Sequence, residues 1–184
     1  MKKLNLIFPI AILTLLISSC SPKLTPFTED LQQENGWSES ELKQIQFYVS
    51  KDIILRRQAT KGVSKIEHGE IKIVDGKRVE EIVIKKGTPG VFLFHPKENR
   101  FAISFESRKN DDPYLIFGPS KKANGRYTLR AKDWDSNREG GKLTYDSKTY
   151  FTPTASAYAV LLVDLKRIKD TKVKSRTAGG RKIK

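Results

Sequence analysis

From Gln44 the chain alternates. Ile45, Phe47 and Val49 fall on one side of an extended backbone, and Gln46, Tyr48 and Ser50 on the other. That is the period-two pattern of a half-buried strand. After a break at Lys51-Asp52, residues 52–57 stay extended. Residues 70–74 and 78–84 then flank Asp75-Gly76, a dipeptide that supplies the positive φ values a tight hairpin needs. Gly87-Thr88-Pro89-Gly90 predicts a second reversal, with Pro89 setting φ at position i+1 and Gly90 at i+2 of a type II turn. Further short strands are expected at residues 91–94, 100–106, 114–117, 126–131, 142–145, 149–152 and 158–165. Turn residues separate nearly all of them: His95-Pro96, Asp111-Asp112-Pro113, Gly118-Pro119, Asn124-Gly125, Gly140-Gly141 and Asp146-Ser147. Many short strands with this punctuation predict an all-β domain, a small barrel or a sandwich. Tight turns make its neighbours mainly antiparallel, since parallel strands need long crossovers.

Ahead of the strands the pattern changes. Residues 21–36 are polar and carry two prolines, which predicts a flexible tether. Ser38 and Glu41 have the spacing of a capping box, in which hydroxyl and carboxylate satisfy each other's free backbone N–H groups. One short helix over about 38–44 follows, with Trp37 packing at its start.

The first twenty residues have a pattern of their own. Lys2 and Lys3 precede an apolar run over residues 4–17, which closes on Ile17-Ser18-Ser19-Cys20. Basic start, apolar middle and small residues are the build of a secretory signal. The run is too short for a span of about twenty residues, and Pro9 interrupts it. An aliphatic residue and two small ones before a cysteine resemble the lipobox of bacterial lipoprotein precursors. The resemblance implies removal of residues 1–19 and a diacylglycerol and N-acyl lipid on Cys20, with no other cofactor. Multiple acyl chains hold a protein stably where one holds it marginally. The remainder is similar in style to small β-rich lipoproteins of the Bacteroidota, being lysine-rich with an IQFY-like opening strand. Ser21 is not the Asp that favours inner-membrane retention in enterobacterial relatives, so the resemblance implies a lipid-anchored envelope protein, at the outer membrane in preference to the inner, facing the periplasm or the surface.

The expected organisation is thus a signal at 1–19, an acylated tether at 20–36, one β domain at 37–165 and a basic tail, disordered, at 166–184. Nine Phe, six Tyr and two Trp suffice for a core, and the single cysteine excludes an internal disulfide. Of the formal net charge of +14, residues 164–184 hold nine basic and two acidic side chains. The tail residues Lys166, Arg167, Lys169, Lys172, Lys174, Arg176, Arg181, Lys182 and Lys184 are candidate contacts for an anionic surface or partner, each adding about 1 kcal/mol near such a surface. Nucleic acid is excluded by the compartment, which leaves headgroups, peptidoglycan carboxylates or an envelope protein as partners.

Candidate chemistry is sparse. His68 and His95 both fall in predicted turns, and neither has a nucleophile elbow beside it. A zinc site lacks ligands. Asp133-Trp134-Asp135-Ser136-Asn137 starts like a calcium loop, but Arg138 stands where Gly is needed and Thr144 where the bidentate Glu is needed. Glu80 and Glu81 face opposite sides of a strand and cannot act together. Gly118-Pro119-Ser120-Lys121-Lys122 lacks the phosphate-loop spacing. No catalytic or metal residue is therefore assigned. Tyr114, Tyr127, Trp134 and Tyr145 are candidates for an aromatic binding face. The expected function is a non-catalytic accessory or scaffold subunit of an envelope or secretion assembly. The alternatives are a peptidoglycan-, glycan- or lipid-binding module, marked by a groove inside the barrel, and an unrecognised hydrolase.

Overall fold

The computed structural model describes residues 23–58, 70–74, 77–109, 111–135 and 140–170. Two antiparallel sheets share one hydrophobic core. The first has seven strands in the order β1 (Leu24–Pro26), β13 (Leu161–Asp164), β2 (Gln46–Val49), β6 (Pro89–Phe94), β7 (Phe101–Ser104), β8 (Tyr114–Ser120) and β9 (Arg126–Leu129). The second has six, in the order β10 (Lys132–Asp135), β11 (Gly140–Tyr145), β12 (Lys148–Pro153), β3 (Ile53–Gln58), β5 (Lys77–Ile84) and β4 (Glu70–Val74).

The first sheet curls until its far edge meets its beginning. Tyr127 N–H donates to the Phe27 carbonyl at 3.0 Å and Leu129 N–H to that of Ala159 at 3.2 Å. Isolated bridges join Thr28 to Arg126 and Thr128 to Val160. No ladder follows from these bridges, so the sheet is not closed and the open form of the two expected architectures is the one realised. Inside the curl lie Phe27, Phe47, Phe92, Phe101, Phe117 and Tyr127, all nearly inaccessible. Ring centroids of Phe27 stand 5.4 Å from Phe47, 5.4 Å from Phe101 and 5.0 Å from Tyr127. Aromatic packing fills the space where a groove inside a barrel was the mark of a ligand-binding module.

The chain passes between the sheets at short crossings that side-chain hydroxyls tie down. The alternation after Gln44 is realised: Ile45, Phe47 and Val49 are buried. Ser50 Oγ accepts from Val160 N–H at 2.8 Å, and Ser156 Oγ from Ile54 N–H at 3.1 Å. Ser156 belongs to a one-turn helix, α3 (Thr154–Ala157), that the strand pattern concealed. The hairpin pairs Val74 with Lys77 across a two-residue connection; Asp75 and Gly76 themselves lie outside the described residues. Asp146 and Ser147 take φ of 50° and 56°, both positive as a tight hairpin turn requires.

Several expectations are corrected. From Lys23 onward the segment read as a tether is part of the fold: β1 pairs with β13, α1 (Glu29–Asn35) follows, and Phe27 is fully buried between them. Polar composition hid it, because one aromatic anchor and main-chain pairing suffice to hold a short segment. The predicted helix is α2 (Glu39–Leu42), and its Ser38–Glu41 capping box is present; Trp37 stacks on Phe27 at 5.8 Å. The second reversal turns three residues earlier than expected. Thr88 N–H donates to the Lys85 carbonyl, and the positive φ, 80°, belongs to Gly87. Pro89 and Gly90 open β6 instead, where a Cβ on Gly90 would stand 2.7 Å from the Phe105 ring. Gly118-Pro119 lies within β8, and the chain reverses at Asn124-Gly125. The start of the basic tail is helical: α4 (Leu165–Asp170) sets Ile168 into the core at 8% exposure.

Candidate functional site

Between the sheets runs a cleft of about 560 Å³. One wall is β8, whose Leu115 and Phe117 point inward while Tyr114 and Ile116 are half-buried and turned out. The crossing Arg130-Ala131 and the start of β10 at Lys132 form the floor, and β11 supplies Lys142, Leu143 and Thr144. The loop at Asp111-Asp112 and the turn at Asp146 close one end.

The two ends differ electrically. At the acidic end Arg108 is the hub: it bonds Asp146 at 2.8 Å and Glu106 at 2.9 Å, while its backbone N–H donates to Asp112 Oδ1 at 2.7 Å. Burial opposes the charge on Arg108, but the bonds to Asp146 and Glu106 prevail and hold its pKa above the ordinary value. These carboxylates are thus already neutralised in part. At the other end Lys132 and Lys142 stand opposite each other in the β10–β11 register, a like-charge pairing that is unfavourable on a sheet. Arg130 lies beside them, its pKa lowered by burial and then by the neighbouring Arg100. No carboxylate among the described residues pairs with Arg130, Lys132 or Lys142. The cleft therefore offers net positive potential from one end.

The sequence candidates distribute unevenly around this cleft. Tyr114 lines it, edge-on to Phe94 at 5.1 Å. Trp134, 36% exposed, covers Gly141, where a Cβ would meet its ring at 2.9 Å. Tyr127 and Tyr145 are corrected: they are 0% and 1% exposed and belong to the core, so the expected aromatic face does not form. Strand periodicity alone could not tell which side of each strand the core would take. Lys166 and Arg167 are exposed on α4, and Arg167 borders a smaller hollow with Gln44, Gln46 and Asp164. Lys169 lies in the last turn of α4; Cys20, Lys172, Lys174, Arg176, Arg181, Lys182 and Lys184 lie outside the described residues, as does His68. His95 is structural, with Nδ1 3.0 Å from the Arg100 carbonyl and its ring against Phe92 and Phe101.

Glu80 and Glu81 do face opposite sides, and each meets an arginine directly across β3: Glu80 bonds Arg57 and Glu81 bonds Arg56 at 2.7 Å. Tyr150 Oη donates to Glu80 at 3.1 Å. The Asp133 segment is an edge strand, and its residues 136–139 lie outside the described residues. Among the described residues no three His, Cys, Asp or Glu side chains gather as metal ligands, and no helix is long and apolar enough to cross a membrane. Sequence reasoning missed Arg100, Arg108 and Arg130. Arg100 and Arg130 stand just beyond strand ends and Arg108 in the loop after β7, where only the tertiary structure shows what each faces. No family model, curated protein or solved structure matches this chain.

Proposed function

We propose that the chain is a lipid-anchored, non-catalytic binding protein of the bacterial cell envelope, an accessory subunit that holds an anionic partner or ligand in the cleft between its sheets. The observation that carries the reading is the cleft itself, about 560 Å³ with lysines and an arginine at one end that have no acidic partners among the described residues. Its volume falls in the range of ordinary ligand sites, which pair an apolar lining with a few placed polar groups; Ile116 and Leu143 supply the first and Arg130 the second. Cys20, at the end of the lipobox-like run, supports the anchor.

Two measurements test the two halves. Cys20→Ala should move the protein from the membrane fraction to the soluble fraction of broken cells; a variant that stays wholly membrane-bound and unprocessed would leave a signal anchor in place of a lipid. A photo-crosslinking residue at Thr144, exposed in the cleft, should capture an envelope component that the same residue at exposed Gln33 on α1 does not. Equal yields from both positions would remove the cleft as the binding surface.

A further inference from the structure

The half-buried arginines fall into two groups. Arg56, Arg57 and Arg108 each bond at least one carboxylate. Arg100 and Arg130 are equally withdrawn from solvent, yet no carboxylate among the described residues reaches either of them.

Their positions follow from the register. Phe101 pairs with Phe117, and Phe117 with Leu129. Arg100 thus stands just before β7 and Arg130 just after β9, flanking β8 on the side opposite the aromatic core. Arg130 falls opposite Ile116, and two residues along the same face of β8 Arg100 falls opposite Gly118. A Cβ there would lie 2.6 Å from Arg100 Nη1 and 2.7 Å from its Cδ, so Arg100 rests on the strand only because Gly118 has no side chain. Arg130 reaches the same step from the other side and donates through Nη2 to the Pro119 carbonyl. Arg100 Nη1 and Arg130 Nε are buried and have no acceptor.

This arrangement is incomplete as it stands. Arg100 is laid against Gly118 and Arg130 against the Pro119 carbonyl beside it, each with a buried donor unmet, and unmet buried donors cost free energy. A guanidinium fork matches the oxygens of a carboxylate or phosphoryl group in shape and charge. One oxyanion between the two forks would satisfy donors on both and cancel their repulsion.

We infer that Arg100 and Arg130 form an oxyanion site at the Gly118-Pro119 step, which takes the phosphoryl or carboxylate group of a ligand whose body extends along the cleft past Lys132 and Lys142. The inference rests on the reading of the cleft as a binding surface, and the two fail separately. Crosslinking at Thr144 reports on the cleft, whereas anion titration of the purified protein reports on the arginines.

The test titrates the full-length chain in neutral detergent with inorganic phosphate, and separately with acetate, at ionic strength held constant with chloride. The unfolding midpoint and the heat of binding are followed. One of the two anions should raise the midpoint saturably where chloride does not, and which one does so separates a phosphoryl from a carboxylate ligand. Arg100→Gln and Arg130→Gln should each weaken that affinity about tenfold or more, as expected for loss of a charge-assisted bond. Arg100→Gln should not lower the midpoint in chloride alone, since it removes a charge with no carboxylate partner, whereas Arg130→Gln also loses the bond to the Pro119 carbonyl and is read by its anion response; a purely structural arginine would keep that response. Gly118→Ala retains both charges and displaces Arg100, so it should also weaken the response, and it decides the matter if a glutamine variant does not fold. The absence of a saturable response to either anion, or a response unchanged in these variants, overturns the site.

Discussion

Replacing Phe27 by alanine asks whether residues 21–36 are a leash or a piece of the domain. Phe27 is fully buried, and its ring lies within 5.8 Å of Trp37, 5.4 Å of Phe47 and Phe101, and 5.0 Å of Tyr127. Its backbone is bonded on both sides, to Leu161 and Tyr127, so the hole left by the ring has little freedom to collapse. Phe-to-Ala changes at such sites cost about 3–5 kcal/mol, a large part of the roughly 5–15 kcal/mol that holds a domain together. With a urea dependence of about 2 kcal/mol per molar, the midpoint should fall by about 1.5–2.5 M. Equilibrium urea unfolding, followed by tryptophan fluorescence and circular dichroism together, measures it. Lys23→Ala, at an exposed position on the same segment, is the control and should stay within about 0.5 kcal/mol. A Phe27→Ala midpoint indistinguishable from that control would show that the segment does not contribute to the fold, and the argument from burial would be wrong.

Arg57→Met should cost about 3–5 kcal/mol, because it leaves Glu80, 3% exposed, without its guanidinium; adding Glu80→Met should recover most of the loss in a double-mutant cycle, and additive losses would refute the pairing. Burial, then the charge of Glu29, pushes the Tyr127 phenol up to about 12, and burial, then Glu80, pushes Tyr150 up to about 12. Both folded values exceed the unfolded value near 10, so this stabilisation is complete below pH 10 and is lost as pH rises through 12. Circular dichroism should show cooperative alkaline unfolding in that window together with tyrosinate absorbance, and full ionisation at pH 10 in a native fold would contradict it. Gly140→Ala should destabilise by about 1–3 kcal/mol through overpacking, because a Cβ there would collide with the Thr152 carbonyl and the Phe151 ring; an unchanged thermal midpoint would show that the β11–β12 hairpin can shift.

The strands were readable wherever one face of the chain is apolar and the other polar. Ile45-Phe47-Val49 and the hairpin around Asp75-Gly76 needed nothing beyond period and turn chemistry. The elements that escaped are those whose stability comes from distant partners. β1 exists because β13 pairs with it from the other end of the chain, and α3 because Ser156 bonds Ile54. Glycines misled for a related reason. Gly90 and Gly118 look like turn residues, but each stands in a strand where a neighbouring side chain lies too close for a Cβ.

What the sequence determined by itself was the local part: antiparallel β structure, the capped helix at Ser38, and the excess of positive charge. Local rules suffice there because period, capping and turn geometry act over a few residues. Only the tertiary structure decided that Tyr127 and Tyr145 are core while Tyr114 faces a cleft, and that Arg100 lies on Gly118 while Arg130 reaches the Pro119 carbonyl beside it. Which face of a strand is buried, and what stands opposite a given side chain, depend on register between strands far apart in sequence, and no local pattern carries that information.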